Sequence, residues 1–169
     1  TSVIPGMTMF DGPMAFVGAS LNWYKNNFAE LENQIAKEKN LNVFDLLTEQ
    51  AQKIKPGSDG LMYFPYLGNT LSPNWNSSAT GMFFGIRPTT SKAHFIRSVI
   101  EGVAFDCNSN VKIAKEAGAS SMMTGNIIKV GNTVVLTSRL LDVVDGTVIK
   151  SRKVEGDNIY EMVDQLSSY

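Results

Sequence analysis

The chain has 169 residues, 43% of them apolar and 18% charged, so it can bury a core and fits one domain or two small ones. A net charge of -1 and the lack of basic runs interleaved with aromatics exclude a general attraction to nucleic acid. No apolar run approaches 18 residues and no signal-peptide layout is present, so no membrane span is expected, and one Cys with one His leaves no zinc cluster.

The opening, TSVIPGMTMFDGPMAFVGAS, is rich in Gly, Pro and Met and reads as short extended pieces and turns. Leu21, Tyr24, Phe28 and Leu31 then recur at helical spacing, which predicts one helix through SLNWYKNNFAELENQIAKE with Ser20 as its cap and Trp23 in the core. A second amphipathic helix is expected from Asn42 to Ile54, with Val43, Leu46, Leu47, Ala51 and Ile54 on one side and Lys55-Pro56-Gly57 ending it. Ser58-Asp59-Gly60 is a turn, and LMYFPYL is a short buried strand that Pro65 ends or places at an edge. A polar loop rich in Asn, Ser and Thr fills Gly68 to Thr80.

Phe83 and Phe84 suit a buried strand end, Gly85 a turn, and Pro88-Thr89-Thr90-Ser91 a loop that caps the next helix. Ile96, Ile100, Val103, Cys107, Val111 and Ala114 form an apolar stripe on a helix running from Lys92 to about Gly118. Cys107 lies on that stripe, where a thiol fills space. Beyond it, IIKV, TVVLTSRLLDVV and TVIKSRKV are separated by Gly131-Asn132 and Asp145-Gly146, which predicts a β-meander. Val134, Leu136 and Leu140 face one side and Thr137 and Arg139 the other, while Lys150 and Arg152 share a strand face. A helix from about Asn158 to Leu166, with Ile159, Met162, Val163 and Leu166 as its apolar side, closes the chain.

The stretch GMFFGIRPTTSKAHFIRSVIE carries Gly81, Phe83, Gly85, Ile86, His94, Phe95, Ser98, Val99, Ile100 and Glu101 in the order of the FGGY carbohydrate kinase signature, which it resembles. VGASLNW, GLMYFPYLGNTLSPNWNSSATG and EGVAF extend the likeness over about residues 3–106, part of the family's carboxy-terminal domain. The resemblance implies a partial ribonuclease-H-like, actin-like kinase domain over residues 1–110. With the meander and helix at 111–169, it implies a mixed α+β chain whose meander either extends the same sheet or stands apart. It further implies ATP and Mg²⁺, a sugar or polyol acceptor, a cytoplasmic location, and Gly18 and Asn22 as the nucleotide-contacting positions.

Chemistry supports those two positions. A glycine permits close backbone approach, and an amide such as Asn22 both donates to and accepts from a ribose or base. No catalytic residue and no metal ligand is assigned here, because the family's catalytic aspartate and metal-binding acids belong to an amino-terminal domain. Leu67-Gly68-Asn69-Thr70-Leu71 lacks the Gly-Glu-Arg of many members, and no glycine-rich adenosine motif follows the long helix. Asp11 and Asp59 sit beside glycines and read as Asx-turn residues, Glu101 as satisfying a loop, and His94 as packing at a helix start.

Residues 111–169 resemble an envelope module of TolB-amino-domain-like and curli-assembly-like lipoproteins, through Ala-Gly-Ala, a Thr-Gly strand, Val-Gly-Asn and Leu-Leu-Asp-Val. That second resemblance implies binding or assembly, and the meeting of the two suggests a hybrid, a fusion or a fragment. The chain begins on Thr1. It is therefore expected to be a processed product or a piece of a longer protein, inactive as a kinase by itself.

Overall fold

The computed structural model describes residues 12–130 and 133–167, which fall into two units divided within one helix between Asn110 and Val111. In the first unit the chain enters α1 (Val17–Phe28), α2 (Glu30–Lys39) and α3 (Val43–Gln52). The single helix expected from Ser20 is thus two, and it starts earlier. Ala29 adopts φ -113 and ψ 41 and is fully buried, which stops α1. Asn33 Nδ2 donates to the carbonyl of Lys25 across the break at 2.9 Å, so an orphaned helix-end acceptor is satisfied by the next helix. Phe28 and Leu31, expected on the apolar stripe, are consequently exposed.

Ser20 is not the cap. It lies in the first turn, buried, with its hydroxyl donating to the carbonyl of Phe16 at 2.7 Å and accepting from Tyr63 Oη at 3.2 Å. α2 ends on Asn40 in the left-handed region, with the Leu41 N–H closing onto the carbonyl of Ala36. Asn42 caps α3 by accepting the Phe44 N–H at 3.0 Å.

Residues 57–60 all have positive φ, namely 89° at Gly57, 47° at Ser58, 50° at Asp59 and 89° at Gly60. Ser58 and Asp59 are costly there, so tertiary contacts must hold them. The strands that follow, β1 (Met62–Phe64) and β2 (Met82–Phe84), pair antiparallel with Tyr63 opposite Phe83. Pro65 limits β1 to three residues of the expected run. Phe83 packs half-buried against the core while Phe84 is exposed, so the strand end is less buried than expected.

α4 (Lys92–Glu116) has 25 residues and ends where Gly118 takes φ 78. Its Ile96 and Val99 are fully buried with Tyr24, Leu47, Ala51 and Tyr63. Trp23 stacks near-parallel to Tyr63 (6.3 Å, 13°) and Phe83 (6.4 Å, 28°), and Phe95 meets Phe83 edge-on at 5.0 Å. Burial of each large apolar side chain in this cluster contributes roughly 1.5–3 kcal/mol before ordering costs.

The second unit is the expected meander, a separate three-stranded sheet in the order β3 (Ser121–Val130), β4 (Thr133–Asp142), β5 (Val148–Gly156). β3 begins six residues before the apolar IIKV run, because β4 extends to Asp142 and pairs it with Ser121. The Gly131-Asn132 turn lies outside the described residues. The second turn is built by Asp142, whose carboxylate accepts the Val144 N–H at 2.6 Å, with Gly146 at φ 75. α5 (Ile159–Ser167) buries Met162 against Leu136 and Val154, a cross-strand pair. Val163, expected on the same side, is half exposed, and the side chains of Ile159 and Leu166 lie outside the described residues.

Candidate nucleotide-binding site

α1 positions Gly18 and Asn22 one helical turn apart. Phe16 at the N-cap offers no side-chain hydrogen bond, so the amides of the first turn are left to solvent or a ligand. Gly18 is exposed, and a Cβ built on it would meet no atom within 4 Å. Asn22 is also exposed, and its Nδ2 donates to the carbonyl of Gly18 at a long 3.4 Å, an easily surrendered contact. The pair therefore offers an open backbone surface and one free amide side chain, which suits the polar parts of a nucleotide.

Among the described residues no group of three His, Cys, Asp or Glu side chains could hold a metal ion. No described helix is long and apolar enough to cross a membrane.

The signature segment is structural in its contacts. Gly85 has φ +91, and a Cβ there would lie 2.3 Å from the carbonyl oxygen of Gly60. Gly102, next to the signature, packs α4 directly on β1: its Cβ would lie 2.2 Å from the carbonyl oxygen of Tyr63. His94 Nδ1 accepts the Ser91 N–H at 3.1 Å and lies 2.8 Å from Ser91 Oγ, which caps α4.

The candidate carboxylates do not converge. Asp11 lies outside the described residues. Asp59 does not spend its carboxylate on an Asx turn; its Oδ2 lies 3.1 Å from His94 Nε2. Glu101 satisfies a loop, as expected: it accepts the Gly57 N–H at 3.0 and 3.2 Å and Arg97 Nε at 2.6 Å. Ser58 Oγ donates to the carbonyl of His94 at 2.8 Å, so three successive contacts clamp the left-handed turn onto α4. Cys107 is half-buried, and burial pushes its thiol up, as befits packing rather than nucleophilic work.

Sequence reasoning missed a cluster around buried Glu32 that links four helices. Glu32 is almost fully buried and meets Lys92 Nζ at 2.5 Å and Gln50 Nε2 at 2.6 Å. Burial raises its carboxyl, but the hydrogen bonds from Lys92 and Gln50 outweigh that and hold it below the usual carboxylate range. Tyr24 Oη donates to the carbonyl of Lys92 at 3.2 Å, and burial together with Glu32 pushes its hydroxyl up to about 12. The signal was the charged Glu32 falling where α2 continues the helical period.

The FGGY family of carbohydrate kinases, C-terminal domain, matches residues 1–134, a span that runs past residue 106 through β3 into β4. Gluconokinase of Bacillus subtilis is 39% identical over 95 residues, 56% of this chain and 18% of that protein. Xylulose kinase of the same organism is 32% identical over 103 residues, 61% of this chain and 19% of that protein. Among solved structures, xylulose kinase from Rhodospirillum rubrum superposes with a TM-score of 0.52 at 29% identity, over 64% of this chain and 20% of that one. The chain spans about a fifth of the length of the relatives it matches. It belongs to the FGGY family of carbohydrate kinases, and the part matched is the family's C-terminal domain, a partial actin-like kinase domain of mixed helix and sheet.

Proposed function

We propose that this chain supplies the nucleotide-facing side of an ATP-dependent carbohydrate kinase, with Gly18 and Asn22 as the contacting residues and a sugar acid, ketose or polyol as the acceptor class. The observation that carries it is the open start of α1, where Gly18 has clear space and Asn22 a loosely held amide on a helix with no side-chain cap. Phosphoryl transfer also needs a base for the acceptor hydroxyl and Mg²⁺ on the phosphates. Of the acids in the kinase-like part, Glu101 is spent on Gly57 and Arg97, Asp59 lies against His94, and Glu32 is held by Lys92. Catalysis thus depends on an amino-terminal kinase domain, and the 169-residue chain alone binds nucleotide without turning over. The reading carries a cytoplasmic location and a kinase-derived domain at residues 1–110, with the meander and its helix at 111–169.

Titration with ATP, followed by amide chemical shifts, tests the site. Saturable shifts around residues 17–23 that are lost in Gly18→Val and Asn22→Ala are expected. Absence of any shift at millimolar ATP would leave only ancestry, and ATP-dependent phosphorylation of gluconate, xylulose or glycerol by the isolated chain would overturn the inactivity.

A further inference from the structure

A groove of about 540 Å³ runs between residues 61–66 and α4, on the wall formed by Ser98, Gly102, Phe105, Asp106 and Ser109. It holds one charge with no use in the fold. Glu101, which also borders it, is paired with Arg97. The Asp106 carboxylate has no ion pair and no side-chain hydrogen bond among the described residues, although it is only partly exposed. Burial pushes its carboxyl up, and burial, with the charge of Asp106 second, pushes up the Tyr66 hydroxyl on the same groove.

Around this carboxylate the walls are aromatic. Phe64 and Tyr66 have ring centroids 6.3 Å apart with planes inclined at 48°, and Phe105 is largely exposed beside Asp106. Ring faces carry negative potential and attract a cation that has shed part of its water, and an unpaired carboxylate adds a full opposite charge. A neutral or anionic ligand would leave Asp106 uncompensated, and a bare metal ion would find one carboxylate where it needs several.

We propose that this groove binds a small organic cation, an ammonium or quaternary ammonium compound, with Asp106 as counter-ion and Phe64 and Tyr66 as the aromatic faces that receive it. The site is separate from Gly18 and Asn22, and its success or failure leaves the nucleotide reading untouched.

Choline and its neutral carbon analogue 3,3-dimethylbutan-1-ol serve as probes against the full chain, observed by chemical shifts of residues 64–66 and 105–109. Choline is expected to give saturable shifts there, the neutral analogue none. Asp106→Asn, which keeps the shape and the thermal midpoint, should weaken choline about tenfold, as should Tyr66→Leu. Equal binding of choline and its neutral analogue, equal binding by Asp106→Asn, or no saturable shift in the millimolar range would each overturn the proposal.

Discussion

The two units are held together by different means. Residues 12–110 converge on one aromatic and aliphatic core and add polar clamps between elements far apart in sequence, Glu32 to Lys92 and Glu101 to Gly57. Residues 111–167 rest on local hairpin pairing, and among the described residues Leu136, Val154 and Met162 form a buried cluster with Val134 packed against it. The first unit is therefore specified by long-range packing and the second by turns and register. A mutation in the first should be felt throughout that unit, and one in the second mainly where it falls.

The sharpest test compares core truncations. Leu47→Ala should cost about 3 kcal/mol, because Leu47 is 1% exposed and its neighbours cannot close the cavity. Met162→Ala should cost less, about 2 kcal/mol, with fewer buried neighbours to lose. Denaturant titration with amide-exchange readout of each unit measures both; equal costs would dissolve the contrast.

Two glycines sharpen it next. Gly102→Ala forces a methyl into the Tyr63 carbonyl and should cost about 2 kcal/mol, read as a lower thermal midpoint. Gly18→Ala, in an exposed helix position with open space, should instead stabilise by about 0.5–1 kcal/mol.

Lys92→Met would leave Glu32 buried without its cation and should cost about 1–2 kcal/mol at neutral pH, less than a fully sealed pair because Lys92 is 42% exposed. Glu32 titrates below the usual range when folded, so its contribution is present above the unfolded value near 4.3 and disappears as pH falls through the lower folded value. The gap between wild type and Lys92→Met should accordingly narrow under acid, and a gap constant with pH would show that the pair does not carry the effect.

The smallest change is expected for Asp59→Asn. That side chain is 73% exposed, so losing its charge beside His94 should move stability by less than about 0.5 kcal/mol. A larger loss would mean that the contact itself holds the left-handed turn, rather than Glu101 and Ser58.

Much of this was legible along the chain. The stripe of Ile96, Ile100 and Val103 gave away α4, the amphipathic run from Asn42 gave away α3, and Asp145-Gly146 marked a hairpin, since each signal acts within a few residues. The break at Ala29 was not legible, because alanine favours helix and the interruption is held by Asn33 reaching back to Lys25. Nor was the positive φ of Ser58 and Asp59, which no local preference demands. At the candidate site, Gly18 and Asn22 could be named from the residues that resemble the family, whereas the openness above Gly18 required coordinates.

By itself the sequence determined most of the segments that become helix or strand, the meander's second turn, and the kinase ancestry, because periodicity, turn chemistry and motif order are properties of neighbouring residues. Only the tertiary structure decided where the charges go. Glu32 and Lys92 lie 60 residues apart, and Gly57 and Glu101 lie 44 apart. Only folding brings such partners together, and the burial of Glu32 then makes its pairing with Lys92 costly to break.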